Sequence, residues 1–268
     1  MKKVLRGVFL AVLFLCAAGI DYAEPKILGK TVEYSVQGRV MKSYLAYDEQ
    51  IKGKRPGVLV IPEVWGLNDY ARKRTRMLAE LGYAALAVDT YGNGKVATTF
   101  DEASKLYAEA MKNFDVLKAR FLAAMDFLKG RPAVDPTRLA AIGYCYGGMV
   151  VLSMAGQGVD LKGVVSFHGG LGDVKSPQPG RVKAKILVLH GGADKLVAPE
   201  QIEAFKQEMK SAGADFRFIS YPGAMHSFTN PEATELGKKF NLPIAYNADA
   251  DKKSWSEMKD FLKNIFAV

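Results

Sequence analysis

Three residues, in one order along the chain, could carry a covalent reaction: a cysteine in a glycine-bounded turn, then an aspartate, then a histidine. The cysteine is Cys145, in Gly143-Tyr144-Cys145-Tyr146-Gly147-Gly148. It has the form G-x-nucleophile-x-G between a run that reads as a strand and a run that reads as a helix. A sharp strand-to-helix turn lifts the central side chain off the sheet, and glycines are needed where the two backbones crowd. The following helix aims its N-terminus at the site, which favours a thiolate and a developing oxyanion. The Tyr146 amide is one expected oxyanion donor.

A nucleophile needs a base, and the base needs an acid to orient it. On such a turn the chain order is nucleophile, acid, histidine. Of the three histidines, His168 and His190 precede the best acid, whereas His226 follows the last strand-like run and fits the order. That acid is Asp194, just past the apolar run 186–189; Asp173, one strand earlier among Lys and Pro residues, reads more as a solvated loop. His168 and His190 each end a strand beside glycines. They read as hydrogen-bonded structural histidines, with pocket lining as the other role open to them. Ile61-Pro62-Glu63-Val64-Trp65-Gly66 follows the first buried strand, where a second oxyanion donor, the Val64 amide, is expected. Glu63 there either faces solvent or interacts with the cysteine.

These residues need a frame. Residues 31–36 and 40–47 alternate in polarity and predict a hairpin around Gln37-Gly38. Runs 57–61, 84–88, 138–142, 163–167, 185–190 and 216–221 predict strands. Helical spacing covers 70–81, 101–129 (one helix or two), 147–155, 199–211 and 254–266. Wholly apolar strands alternating with helices predict a mostly parallel sheet with helices on both faces. Reacting groups then belong on loops at the carboxyl ends of the strands.

The N-terminus reads differently. Lys2, Lys3 and Arg6 precede an uncharged apolar run at 8–18, too short to span a bilayer and suited to a signal peptide over residues 1–23. Leu15 before Cys16 is bulky, which argues against a lipid attachment site. The domain would then occupy 24–268, periplasmic or secreted, with no stable membrane association after cleavage. Loss of residues 1–23 lowers the formal charge from +9 to +7 and leaves Cys145 as the one cysteine. A lone cysteine in an oxidising compartment is either buried and inert or kept for its chemistry. The remaining basic residues are mixed with acidic ones, so a nucleic-acid surface is not expected. No cluster has metal-ligand spacing, and no metal or cofactor is implied.

Glu63-Val64-Trp65-Gly66, the Cys145 turn, His190-Gly191-Gly192-Ala193-Asp194 and His226-Ser227-Phe228 together resemble the dienelactone hydrolase family of the α/β-hydrolase superfamily. The likeness runs from the first hairpin to the final helix. It implies an α/β-hydrolase fold, a triad of Cys145, Asp194 and His226, and a Glu63 that pairs with the resting cysteine until substrate displaces it. It also implies hydrolysis of a small-molecule ester or lactone through a thioester. Acyl transfer on the same triad, or a non-catalytic binding or thiol-sensing role, are the alternatives, for a monomer or homodimer. Trp65, Tyr91 and Phe228 are expected to wall the pocket. Family members that cleave dienelactones hold the substrate carboxylate with arginines. At the matching places this chain has Gly92-Asn93-Gly94 and Thr229-Asn230, leaving Arg72, Arg74 or Lys95 as the cations that could substitute.

Overall fold

From residue 55 onward most strands are short apolar runs that can bury both faces, so they pair in parallel beneath helices on either side. The computed structural model describes residues 24–267; the expected signal peptide and its cleavage site lie outside them. In chain order the elements are β1 (Ile27–Val36), β2 (Arg39–Asp48), β3 (Arg55–Ile61), α1 (Asp69–Glu80), β4 (Ala84–Ala87), α2 (Phe100–Met111), α3 (Phe114–Lys129), β5 (Val134–Tyr144), α4 (Tyr146–Gly156), β6 (Gly163–Phe167), β7 (Lys185–Gly191), α5 (Pro199–Ser211), β8 (Phe216–Tyr221), α6 (Ala233–Phe240) and α7 (Ala248–Phe266). The sheet order is β1-β2-β4-β3-β5-β6-β7-β8. The β1–β2 hairpin joins antiparallel to β4, and every later pairing is parallel. This is the α/β-hydrolase architecture expected from the sequence.

Alternation along each strand divides the core. Leu59, Ile61, Leu139, Ala141, Ile186 and Val188 face one side, with α3, α4 and α5. Val58, Val60, Ala140, Ile142, Leu187 and Leu189 face the other, with α1 and α7. Helix α4 is buried on every side. The long helical run splits where Asn113 caps α3, its side chain accepting from the amides of Asp115 and Val116. Helix α2 begins with a capping box between Thr99 and Glu102.

Two elements depart from expectation. Helix α6 is not anticipated: eight residues interrupted by Gly237 between Pro231 and Pro243 give too little helical pattern to read. Helix α7 starts six residues before 254, because Asn247 caps it by accepting from the Ala250 amide.

Candidate active site

All the chemistry-bearing side chains sit just past the carboxyl ends of strands. Glu63 follows β3, Cys145 follows β5, His168 follows β6, Asp194 follows β7 and His226 follows β8. Register brings the first three together, since Gly143 pairs with Ile61 on one side and with Ser166 on the other.

Cys145 has φ 53° and ψ −116°, a conformation L-residues rarely adopt. Such backbone costs on the order of 1–3 kcal/mol and persists only where the surroundings hold it. The holding contacts are visible. Its amide donates to the Phe167 carbonyl at 3.0 Å and to Nδ1 of His168 at 3.1 Å. A side chain on Gly143 would strike the Gly147 carbonyl, and one on Gly147 would strike the Ile61 carbonyl. Both glycines are therefore set by the close approach of β3, β5 and α4.

His226 is buried, and its Nδ1 lies 2.7 Å from Oδ2 of Asp194. Asp194 is itself fully enclosed and accepts the Leu196 amide at 2.8 Å through Oδ1. That leaves Nε2 of His226 buried without a protein partner, beside Cys145 in a shared cavity. Burial alone would lower the His226 pKa. The adjacent Cys145 sulfur and the Asp194 carboxylate outweigh it and hold the imidazolium well above the ordinary range.

Glu63 is buried too, but its hydrogen bond is to Asn230: Nδ2 donates to Oε2 at 2.7 Å. Oε1 has no partner. Burial raises its pKa, opposed by the Asn230 hydrogen bond and by the neighbouring Ser227, His226 and Arg74. Cys145 shares the cavity with His226, while Glu63 is held by the loop that follows the histidine.

His168 is a structural histidine in the sense expected, with a site role attached. Burial, with His226 and Arg74 nearby, keeps its pKa well below the usual value. Because Nδ1 accepts from Cys145, the proton sits on Nε2, which donates to Oγ1 of Thr229 at 2.7 Å. Thr229 also bonds Tyr70, and Arg74 donates to the Thr229 carbonyl. His190 packs against Phe218, away from the cavity. Asp173, the rival acid, accepts from the Tyr107 hydroxyl at 2.6 Å and is exposed.

The cavity, of about 320 Å³, is lined by Trp65 as expected. Tyr91 and Phe228 are placed elsewhere. Tyr91 lies behind the site, its ring stacked on Tyr146 and its hydroxyl donating to the Val64 carbonyl at 2.9 Å. Phe228 is fully buried against His168 and Tyr221, because the turn at Ser227 directs it into the core. The sequence reading missed Tyr107, Met149, Leu196, Leu242 and Ile244 as lining residues. Leu196 is an exposed large apolar side chain, but that exposure shows only in the fold, so no local sequence pattern marked it. The proposed substitute cations are spent or distant. Arg74 is buried against Asp251, Arg72 lies over the Tyr44 ring, and Lys95 lines a separate surface groove.

With this arrangement on the loops of a mostly parallel sheet, the molecule is an α/β-hydrolase. The model of the dienelactone hydrolase family matches residues 41–266, so the chain belongs to that family and is a hydrolase of esters or lactones. One similar solved structure is a dienelactone hydrolase-like promiscuous phosphotriesterase from metagenomic libraries. It is 35% identical, with a TM-score of 0.84 over 89% of this chain and 98% of its own. A Caenorhabditis elegans protein is 40% identical over 153 residues, 56% of this chain and 95% of its own. A candidate carboxymethylenebutenolidase of Methylorubrum extorquens is 26% identical over 249 residues, 88% of this chain and 81% of its own.

Proposed function

We propose that this hydrolase works through a Cys145–His226–Asp194 triad and a thioester intermediate. The observation that carries the reading is the buried, unpartnered Nε2 of His226, backed by Asp194 at 2.7 Å and sharing a cavity with Cys145. The sulfur attacks the substrate carbonyl carbon while Nε2 holds the thiol proton. The oxygen gains negative charge and is received by the amides of Val64 and Tyr146, both at the site and neither donating to another group among the described residues. The tetrahedral species collapses, the C–O bond breaks, and the alkoxide leaves with the proton from His226. Water then attacks the thioester, giving its proton to Nε2. The C–S bond breaks, the acid departs, and the sulfur takes the proton back from Nε2, restoring the thiol. A lactone follows the same steps with its alcohol still tethered. Asp194 keeps the proton on Nδ1 and orients the ring throughout.

Glu63 is assigned to the resting thiol: its Oε1 is an unused acceptor in the same buried site, and a thiol engaged by it would be shielded from oxidation. Neutral phosphotriesters form a second substrate class to assay. The similar phosphotriesterase suggests them, and the mainly apolar cavity suits an uncharged ester.

The test is 4-nitrophenyl butyrate hydrolysis by wild type and Cys145→Ala, with mass spectrometry of the acylated protein. The variant should lose about 10⁴-fold or more in kcat/KM, and the acyl group should map to Cys145. Wild-type turnover no faster than that of the alanine variant would sink the triad.

A further inference from the structure

The cavity beside Cys145 is walled by apolar side chains, among them Trp65, Met149, Leu196, Leu242 and Ile244. Apart from the triad, its one charged lining residue among the described residues is Asp173. Among the described residues no lysine or arginine lines it. Arg120, behind Tyr91 in a neighbouring hollow, donates to the Thr90 carbonyl instead. Asp173 stands at the exposed rim on the loop after β6, where the Tyr107 hydroxyl holds its Oδ2 at 2.6 Å. The Tyr107 ring packs edge-on against Tyr146, the residue that follows Cys145 and lines the same cavity. The carboxylate is thereby tied to the wall of the site rather than left free on a loop.

A substrate carboxylate entering such a cavity would lose its hydration, meet no cation to replace it, and approach a fixed like charge. An uncharged hydrocarbon acyl chain would instead gain from leaving water. We infer that the enzyme selects esters of uncharged, apolar acyl groups, and that Asp173, positioned by Tyr107, is the residue that rejects anionic ones. This rests on the hydrolase reading above and adds the substrate class to it. Specificity here is built from a repulsive element as well as an attractive one.

The experiment compares kcat/KM for 4-nitrophenyl hexanoate and for the mono-4-nitrophenyl ester of adipic acid, which carries a carboxylate at the far end of the acyl chain. Wild type should favour the uncharged ester by about 100-fold, and the ratio should shrink as salt screens the exposed carboxylate. Asp173→Asn should cut the ratio by about threefold, and Asp173→Lys by about tenfold or more. Because Asp173 is exposed, both variants should unfold at the wild-type temperature. Equal efficiency on the two esters, or a ratio unmoved in Asp173→Lys, would overturn the inference and leave the hydrolase standing. Failure to turn over either ester would remove the hydrolase reading and this inference with it.

Discussion

The two walls of the active site are built in different ways. The reacting wall is held by backbone. The Cys145 amide is fixed by Phe167 and His168, two glycines admit no side chain, and a buried loop carries His226 and its neighbours. The binding wall is assembled from side chains projecting from several separate segments, around a cavity of about 320 Å³. Position is set by the first wall and affinity by the second. A substitution in the first should therefore cost rate, and one in the second should mainly cost binding.

The largest expected effect in that contrast is Asp194→Asn. It leaves the shape of the site but permits the wrong histidine tautomer, and kcat should fall about 10³-fold on an aryl ester with KM little changed. A fall confined to KM would break the contrast at its strongest point. Next is His168→Phe, which removes one acceptor of the Cys145 amide and the donor to Thr229. Steady-state kinetics should show kcat reduced about tenfold, and denaturant unfolding a loss of about 1–3 kcal/mol. On the opposite wall, Trp65→Ala should raise KM about three- to tenfold and alter kcat less. A kcat effect as large as that of His168→Phe would mean that the walls do not divide the work.

The smallest effect concerns Glu63. Burial raises its pKa in the folded chain. The folded state therefore keeps a proton there at pH values where the unfolded chain has lost it. The resulting stability is full below the ordinary carboxylate value, about 4.3, and is lost as pH rises through the folded value. Glu63→Gln removes that dependence, so the wild-type unfolding midpoint should fall relative to the variant as pH rises above the ordinary carboxylate range. If Glu63 also shields the resting thiol, the variant should be alkylated by iodoacetamide about two- to fivefold faster. Parallel midpoints would contradict the raised pKa, and an unchanged alkylation rate would remove the shielding role.

The same division explains what could be read in advance. Strands β6 and β8 and helix α5 match their sequence-based bounds because apolar runs and turn residues specify them locally. The Cys145 turn, Asp194 and His226 were legible because strand order assigns each to a loop. The binding wall was not. Tyr91 and Phe228 stand next to motif residues in sequence, yet local backbone turns each away from the cavity. Leu242 and Ile244 return to the site in the stretch that follows the unanticipated helix α6, where residue 244 bridges to His226. The bond between Asn230 and Glu63 joins residues far apart in sequence, and no local pattern announces it.

Arg74 deserves a last consequence. Its guanidinium lies within reach of the Tyr70, Tyr144 and Trp255 rings, bonds the Thr229 carbonyl, and finds its countercharge in Asp251 of the final helix. During synthesis from the N-terminus, Arg74 and even His226 emerge before Asp251 does. Until α7 arrives, Arg74, which bonds the loop bearing the histidine, lacks its countercharge, and a buried charge without one is costly. The loop that carries the proposed base is thus settled among the last acts of making the chain, so a nascent or C-terminally shortened protein would leave the proposed triad incomplete.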